Sequence, residues 1–365
     1  MDTFTWLTMG AKIAFVVVML LQIVPIMVWV ERRGSAWMQN RTGPDRVGPF
    51  GLLQSLADVI KFIWKEDVAP GHVDRFYWWL APVISVTPAF MTLAVIPFAG
   101  AINIDGRVLD FQMANLNVGL LFIFSIASLG VYGIIMGGWA SNNKYALLGS
   151  LRSTSQMISY ELSMGLSVIG IIMAYSSVHL GEIAVAQGET WFTIAGLAIP
   201  KWGILIQPLG FVIFITAAYA ETNRLPFDLP EGESEIVAGY HLEYGAMKFA
   251  LFMMAEYLNM TTASALITTL YFGGWQLFAP LPQILDALTH VLHLSGMGAD
   301  WLRVAFQAMS FTIKVGFFMW LFVWVRWTLP RFRYDQLMDL GWKVMLPLSL
   351  ANIFLTGLLI YYKVI

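Results

Sequence analysis

Eight times along this chain the sequence stays apolar for roughly 20 residues, the length a helix needs to cross the hydrocarbon core of a bilayer. The runs fall near 5–30, 78–99, 118–139, 157–177, 203–220, 247–271, 304–327 and 344–362. A soluble exterior needs polar cover, yet charged residues make up only 12% of this chain, against about 25% in an ordinary soluble domain. The fold class is therefore all-α, an integral membrane protein of about eight transmembrane helices. No composition break divides it, so residues 1–365 read as a single polytopic domain. The start, MDTFTW, has neither a basic region nor a small-residue cleavage site, so the first run reads as a retained span.

Orientation follows from Lys and Arg. Fourteen of these lie in the connections after the odd-numbered runs: Arg32, Arg33, Arg41, Arg46, Lys61, Lys65, Arg75, Lys144, Arg152, Arg224, Arg326, Arg331, Arg333 and Lys343. Four lie on the other side: Arg107, Lys201, Arg303 and Lys363. The asymmetry predicts cytoplasmic odd loops and both termini on the periplasmic side of a bacterial plasma membrane.

Within the first of these loops, about 31–77, residues 49–65 form an amphipathic helix. Leu52, Leu53, Leu56, Val59, Ile60 and Ile63 recur at helical spacing, with Gln54, Ser55, Asp58, Lys61 and Lys65 elsewhere on the wheel. Too short and too charged to span, it is predicted to lie at the membrane interface. A second amphipathic piece is predicted at 281–294 on the opposite side.

The densest chemistry lies in the loop at about 221–243, where six acids occur in 23 positions: Glu221, Asp228, Glu231, Glu233, Glu235 and Glu243. Arg224 and the more distant Lys248 are the nearby cations. Crowded, partly desolvated carboxylates repel one another, so some are predicted to hold protons near neutrality. Pro226 and Pro230 break helical continuity and make this stretch a shaped loop. Inside the spans sit Glu161 and Glu256, read as intramembrane proton carriers because a charge in lipid usually faces a cavity or a partner. Lys12 and Lys314 read equally well as snorkelling or paired side chains.

Cysteine is absent, which excludes disulfides, zinc–thiolate sites and cysteine-ligated iron–sulfur clusters within this polypeptide. The five histidines (72, 179, 241, 290 and 293) fall in loops or at span ends and do not read as a haem pair. There is no phosphate-binding loop or dinucleotide fingerprint, no metal site, and the net charge of −2 gives no reason to expect nucleic acid. Electrons for any redox role must arrive from a partner.

Four segments carry a resemblance: GPDRVGPFGLLQSLADVIKF (43–62), SNNKYALLGSLRSTSQMISYE (141–161), AETNRLPFDLPEGESEIVAGYHLEYGAMKFALFMMAEY (220–257) and WTLPRFRYDQLMDLGWK (327–343). In order and spacing the chain resembles the H-subunit (mitochondrial subunit 1) family of the proton-pumping NADH:quinone oxidoreductases, respiratory complex I. The resemblance implies a translocase subunit at the heel of the membrane arm, forming much of the quinone chamber and coupling quinone reduction to proton translocation. Ubiquinone or menaquinone would be the substrate, with FMN and iron–sulfur clusters held by partner subunits only. It also implies that the first amphipathic helix and the first, sixth and seventh spans frame the chamber.

By the same resemblance, Arg32, Arg33, Arg46, Asp58, Asp228, Glu231, Glu233 and Glu235 belong to the quinone chamber and its mouth. Glu161, Glu221, Glu243 and Glu256 belong to the proton pathway. Arg331, Arg333, Tyr334 and Asp335 belong to the interface with the peripheral arm. The implied partners are the peripheral-arm quinone-site subunits and the small and antiporter-like membrane subunits. Two rivals stay open at this level: the equivalent subunit of a membrane-bound hydrogenase, and a stand-alone ion transporter, for which the inverted repeats expected of that class are not visible.

Overall fold

A computed structural model describes residues 3–104, 106–194, 197–229, 237–277, 281–291 and 296–363. In chain order the helices are α1 (Thr3–Met38), α2 (Gln54–Trp64), α3 (Arg75–Leu93), α4 (Gly119–Ala140), α5 (Lys144–Tyr175), α6 (Leu180–Ala186), α7 (Gly203–Ile206) and α8 (Pro208–Glu221). They continue as α9 (Ala246–Tyr271), α10 (Leu281–Val291), α11 (Met297–Thr328), α12 (Tyr334–Asp339) and α13 (Leu346–Tyr361). Seven of the eight apolar runs each carry one long helix, the fifth is divided into α7 and α8, and the chain is an all-α integral membrane protein.

Six helical segments are long and apolar enough to cross a membrane: Trp6–Met38, Arg75–Leu93, Gly119–Ala140, Lys144–Tyr175, Met297–Thr328 and Tyr334–Tyr361. The other two runs depart for different reasons. Helix α8 has 14 residues, about 21 Å at ~1.5 Å per residue, and is preceded by α7 across a break at Gln207 and Pro208. Helix α9 has ample length at 26 residues but is rich in Ser and Thr. Thr261, Thr262, Ser264, Thr268 and Thr269 each donate their hydroxyl to the carbonyl four residues back. Such back-bonding satisfies a buried hydroxyl without another helix. That suits α9 to the interior, where Leu258, Ile267, Leu270 and Tyr271 are fully covered.

Several boundaries differ from the sequence expectation. Helix α5 begins at Lys144, well before 157, because Asn143 caps it by accepting from the Tyr145 amide at 2.9 Å. The amphipathic helix begins at Gln54 because Gly48, Phe50 and Gly51 have φ of 72°, 54° and 75°, outside helical geometry. The final span is joined to α12 through a π-helical turn, Leu340–Met345. Two short antiparallel hairpins were not anticipated: Ile102–Ile104 with Arg107–Leu109, register Ile102↔Leu109, and Thr190–Ile194 with Leu197–Pro200. Both lie in connections at the end of the bundle where α1 begins.

Helix α5 packs against α4, α8 and α13; α3 pairs with α4, and α9 packs on α3, α8 and α11. The α3–α4 approach depends on Gly133, where an added Cβ would stand 2.6 Å from the Ser85 amide nitrogen. Tyr219 on α8 stacks on Phe322 of α11 with ring centroids 4.1 Å apart, tying two helices of the main core.

Candidate functional site: a chamber with a neutralised charge cluster

A cavity of about 710 Å³ opens between α1, α2, α9 and α11. Most of its wall is apolar, with Leu21, Val24 and Val28 from α1, Val59 and Phe62 from α2, and Met247, Met253 and Met254 from α9. Methionines are unbranched and adapt to irregular apolar shapes, so this wall can accommodate a flexible hydrocarbon. The polar side of the cavity presents Glu31, Arg32, Arg41, Asp58, Arg224, Glu256, Tyr257 and Arg326.

Four of these charges form one cluster. Arg224, in the loop after α8, places Nη1 3.3 and 3.2 Å from the Glu31 carboxylate oxygens and contacts Glu256 through Nε. Arg326 of α11 donates to Glu31, and the Tyr257 hydroxyl donates to Glu31 at 2.7 Å. The Arg224 guanidinium also lies over the Tyr257 ring, 4.6 Å from its centroid. Arg224 is 4% exposed and Glu31 8%, so neither is solvated by bulk water and each depends on its partners. Two carboxylates against two guanidiniums make the cluster neutral overall.

Glu256, expected from its place in an apolar run to face a cavity or a partner, has both: the chamber and Arg224. Glu31 was not singled out from the sequence, because a lone acid followed by Arg32 and Arg33 resembles a solvated loop start. The available signal was that Glu31 directly continues an apolar run, at a point where α1 is still helical for two further turns.

At the mouth, Arg32 of α1 binds Asp58 of α2 at 2.5 Å, and Lys61 adds a contact at 3.2 Å. Burial pushes the Asp58 carboxyl up, but the hydrogen bonds and charges of Arg32 and Lys61 outweigh it and hold Asp58 below the usual carboxylate range. Arg33 and Arg46 do not reach the cavity wall. Arg33 instead donates to the Phe50 carbonyl at 2.6 Å and packs among Trp29, Trp37 and Phe50, while Arg46 is exposed. Glu231, Glu233 and Glu235 lie outside the described residues.

Asp228 is buried and pairs with Arg331 at 2.9 Å, away from the cavity wall. That pair, the Phe227–Phe332 stack at 5.4 Å and the Phe332 amide bond to Pro226 at 3.1 Å fasten the loop after α8 to the loop after α11. Arg331 therefore faces inward. Arg333 and Asp335 pair with each other on an exposed surface, and Tyr334 touches Ser155 at 3.3 Å.

Three of the four acids that the resemblance assigns to a proton pathway, Glu256, Glu221 and Glu161, lie in succession from the cavity inward. Glu256 lines the large cavity and also a small one of about 20 Å³, which it shares with Glu221, Asn223 and Asn259. Glu221 in turn lines a further small cavity of about 30 Å³ with Thr92, Asn259 and Thr262. Glu161 accepts from Ser128 across the α4–α5 contact and is close enough to Glu221 for their charges to interact. Glu243 stands apart from this series, held by Asn143 at 2.8 Å with His72 3.8 Å away. Lys12 is paired with Asp110, and Lys314 donates to three backbone carbonyls, so neither sits free in lipid.

Fold and site together define a class: a multi-pass membrane protein that encloses a large, mostly apolar chamber walled on one side by balanced buried charges. The family described as NADH dehydrogenase matches residues 11–357. The H-subunit of NADH-quinone oxidoreductase from Bdellovibrio bacteriovorus is 45% identical, covering 99% of this chain and 98% of that relative. The H-subunit numbered 2 of NADH-quinone oxidoreductase from Geobacter sulfurreducens is 47% identical, covering 95% of each. The H-subunit numbered 1 of the same enzyme from Cytophaga hutchinsonii is 45% identical over 90% of each chain. The chain belongs to the NADH dehydrogenase family of membrane subunits, represented by these H-subunits of respiratory complex I.

Proposed function

We propose that this protein builds the chamber in which a membrane quinone, ubiquinone or menaquinone, is reduced, and that its carboxylates couple the reduction to proton translocation. The observation that carries the reading is the cavity of about 710 Å³ between α1, α2, α9 and α11, with a methionine-rich wall on one side and Glu31, Arg224, Glu256 and Arg326 on the other. An isoprenoid tail suits the first surface and a polar headgroup the second. The Arg32–Asp58 pair joins α1 to α2 at the mouth, so α2 forms the rim of the chamber there.

Electrons come from FMN and iron–sulfur clusters in partner subunits. Reduction of a quinone takes up protons, and this chain's part is to sense that demand. Glu256 borders both the chamber and the inner cavity shared with Glu221, and Glu221 interacts with Glu161. Proton occupancy at neighbouring buried carboxylates is interdependent, so a change at Glu256 is felt at Glu221 and then Glu161. Glu243 meets the loop carrying His72 and feeds the series from that side. The family resemblance alone assigns Glu231, Glu233 and Glu235 to the chamber. The exposed pair Arg333–Asp335 with Tyr334 faces the peripheral arm, and the opposite flank of the bundle faces the small and antiporter-like membrane subunits. The excess of Lys and Arg in the odd loops supports an orientation with those loops in the cytoplasm of a bacterial plasma membrane and both termini periplasmic.

The test is to fill the chamber. Ala250 lines it, and Ala250→Trp in the assembled complex should raise the KM for quinone or abolish quinone reduction. NADH–ferricyanide activity of the peripheral arm should stay intact. Unchanged quinone kinetics with the indole in place would remove the chamber from the mechanism.

A further inference from the structure

At the opposite end of the bundle from the Arg32–Asp58 mouth lies a second cavity, of about 400 Å³, between the loop after α3, α6 with its following loop, and the end of α9. Its lining includes three carboxylates, Asp110, Glu182 and Glu189. Asp110 is matched by Lys12, and Glu182 accepts from the Ser177 hydroxyl at 2.5 Å; Glu189 is exposed with no side-chain partner among the described residues. Acids alone define no ligand, but two further lining residues do not fit a merely solvated surface. Gln112 is 6% exposed and Trp275 5%, and neither the Gln112 carboxamide nor the Trp275 indole N–H has a hydrogen-bond partner among the described residues. Buried donors are rarely left unused.

The arrangement narrows the ligand. Among the described residues no three His, Asp or Glu side chains converge as a metal site, and the space is far larger than a metal ion needs. The lining pairs acceptors for a cation with free donors for an anion, beside apolar surface from Phe111 and the face of Trp275. A basic side chain from a neighbouring protein of the complex would satisfy the carboxylates and leave both donors unused. A zwitterion carrying a primary ammonium and a phosphate a short distance apart would use both sets.

We propose that this cavity binds the phosphoethanolamine headgroup of a bilayer lipid, with the ammonium held by Glu182 and Glu189 and the phosphate by the Gln112 carboxamide and the Trp275 N–H. The site is separate from the quinone chamber and does not depend on that assignment. Its place at the end of the membrane helices lets the acyl chains continue along the bundle surface, and Trp is a common residue at that depth.

The experiment uses the assembled complex, stripped of lipid in detergent and titrated with dioleoyl-phosphatidylethanolamine, -phosphatidylcholine or -phosphatidylglycerol, with bound lipid read by native mass spectrometry. Phosphatidylethanolamine should be retained in preference to both others, because the choline ammonium cannot donate hydrogen bonds and the glycerol headgroup has no cation. Gln112→Leu and, separately, the exposed Glu189→Gln should each weaken that retention about tenfold, the effect of one charge-assisted hydrogen bond. Equal retention of all three lipids by the wild-type complex would overturn the proposal without reference to any variant. So would unchanged retention by both variants, or a map of the complex showing a basic side chain from another protein in the cavity.

Discussion

Arg224 and Glu31 stand 193 positions apart in the chain and meet with Nη1 3.2 Å from Oε2, each almost wholly removed from solvent. Their union fixes the start of the acidic loop against the end of α1, and Glu256, Tyr257 and Arg326 are assembled around them. Breaking such a pair by removing one member leaves an uncompensated buried charge, which costs about 3–5 kcal/mol. Glu31→Gln should therefore lower the thermal stability of the assembled complex and reduce quinone reductase activity together. Wild-type melting behaviour in this variant would show that the pair contributes little.

Glu221 and Glu256 share a small cavity, and the proposed coupling uses them as carriers between chamber and interior. Glu221→Ala or Glu256→Ala should cut quinone-dependent turnover and proton pumping by roughly tenfold or more, the scale on which a positioned acid–base group acts. NADH–ferricyanide activity should be retained. Glu256→Ala should also loosen Arg224, whereas Glu221→Ala should not, so only the former should lower stability markedly. Full pumping in both variants would leave the carboxylate series without a role.

Asp58 supplies a pH prediction with a definite sign. Its folded-state pKa is depressed below the unfolded value, so its contribution to stability is present above that unfolded value and is lost only as pH falls through the lower, folded one. The Arg32–Asp58 pair should hold α2 unchanged from about pH 8 down to about pH 5, near ordinary carboxylate behaviour. Hydrogen exchange of the α2 amides should be insensitive to pH in that window, after correction for intrinsic rates. Asp58→Asn should speed it at every pH in that window. A protection change titrating near neutrality would point to another group at the mouth.

Gly51 offers an independent handle on the same rim. It has φ of 75°, and a Cβ there would stand 2.2 Å from the Pro44 carbonyl oxygen, so both conformation and space require glycine. Gly51→Ala should displace the 44–53 loop, increase exchange across Gln54–Trp64 and raise the KM for quinone, while leaving the distant α3–α4 contact unaffected. Unaltered exchange across α2 would mean that this turn does not position the helix.

The helix inventory was legible because lipid imposes a crude rule, and every long apolar run became helical, the fifth with a break at Gln207. What the runs concealed was which helix is interior. Helix α9 reads as a span weakened by Ser and Thr, yet those hydroxyls close on their own backbone and leave it the best-covered helix of the bundle. The site was legible in part. Glu256 was marked by its charge within an apolar run, Glu221 by the crowding of acids, and Arg32 and Asp58 by the family resemblance, and the structure brings all four to cavities. Glu31 and Arg326 were hidden in basic flanks, because sequence spacing does not tell a snorkelling charge from one that turns inward. Asp228 and Arg331 were assigned apart, to chamber and arm interface, since nothing local signals a pairing across 103 positions.

Lys314 gives the last and sharpest test of how the bundle treats a cation in lipid. It projects from the middle of α11 and donates to the carbonyls of Phe272, Gly274 and Gln276 at 2.9, 3.0 and 2.8 Å. These belong to the turn just past the end of α9, where the helix dipole favours positive charge. Lys314 thus serves as a cap supplied by a neighbouring helix. Removing it leaves three carbonyls without their donor, and a charge-assisted hydrogen bond contributes about 1.5–3 kcal/mol. Lys314→Met, close in length and unable to donate, should lower the melting temperature of the complex and increase exchange at residues 272–276, with proton pumping per quinone reduced unchanged. A normal melting temperature with impaired pumping would instead make Lys314 a proton-pathway residue and remove its capping role.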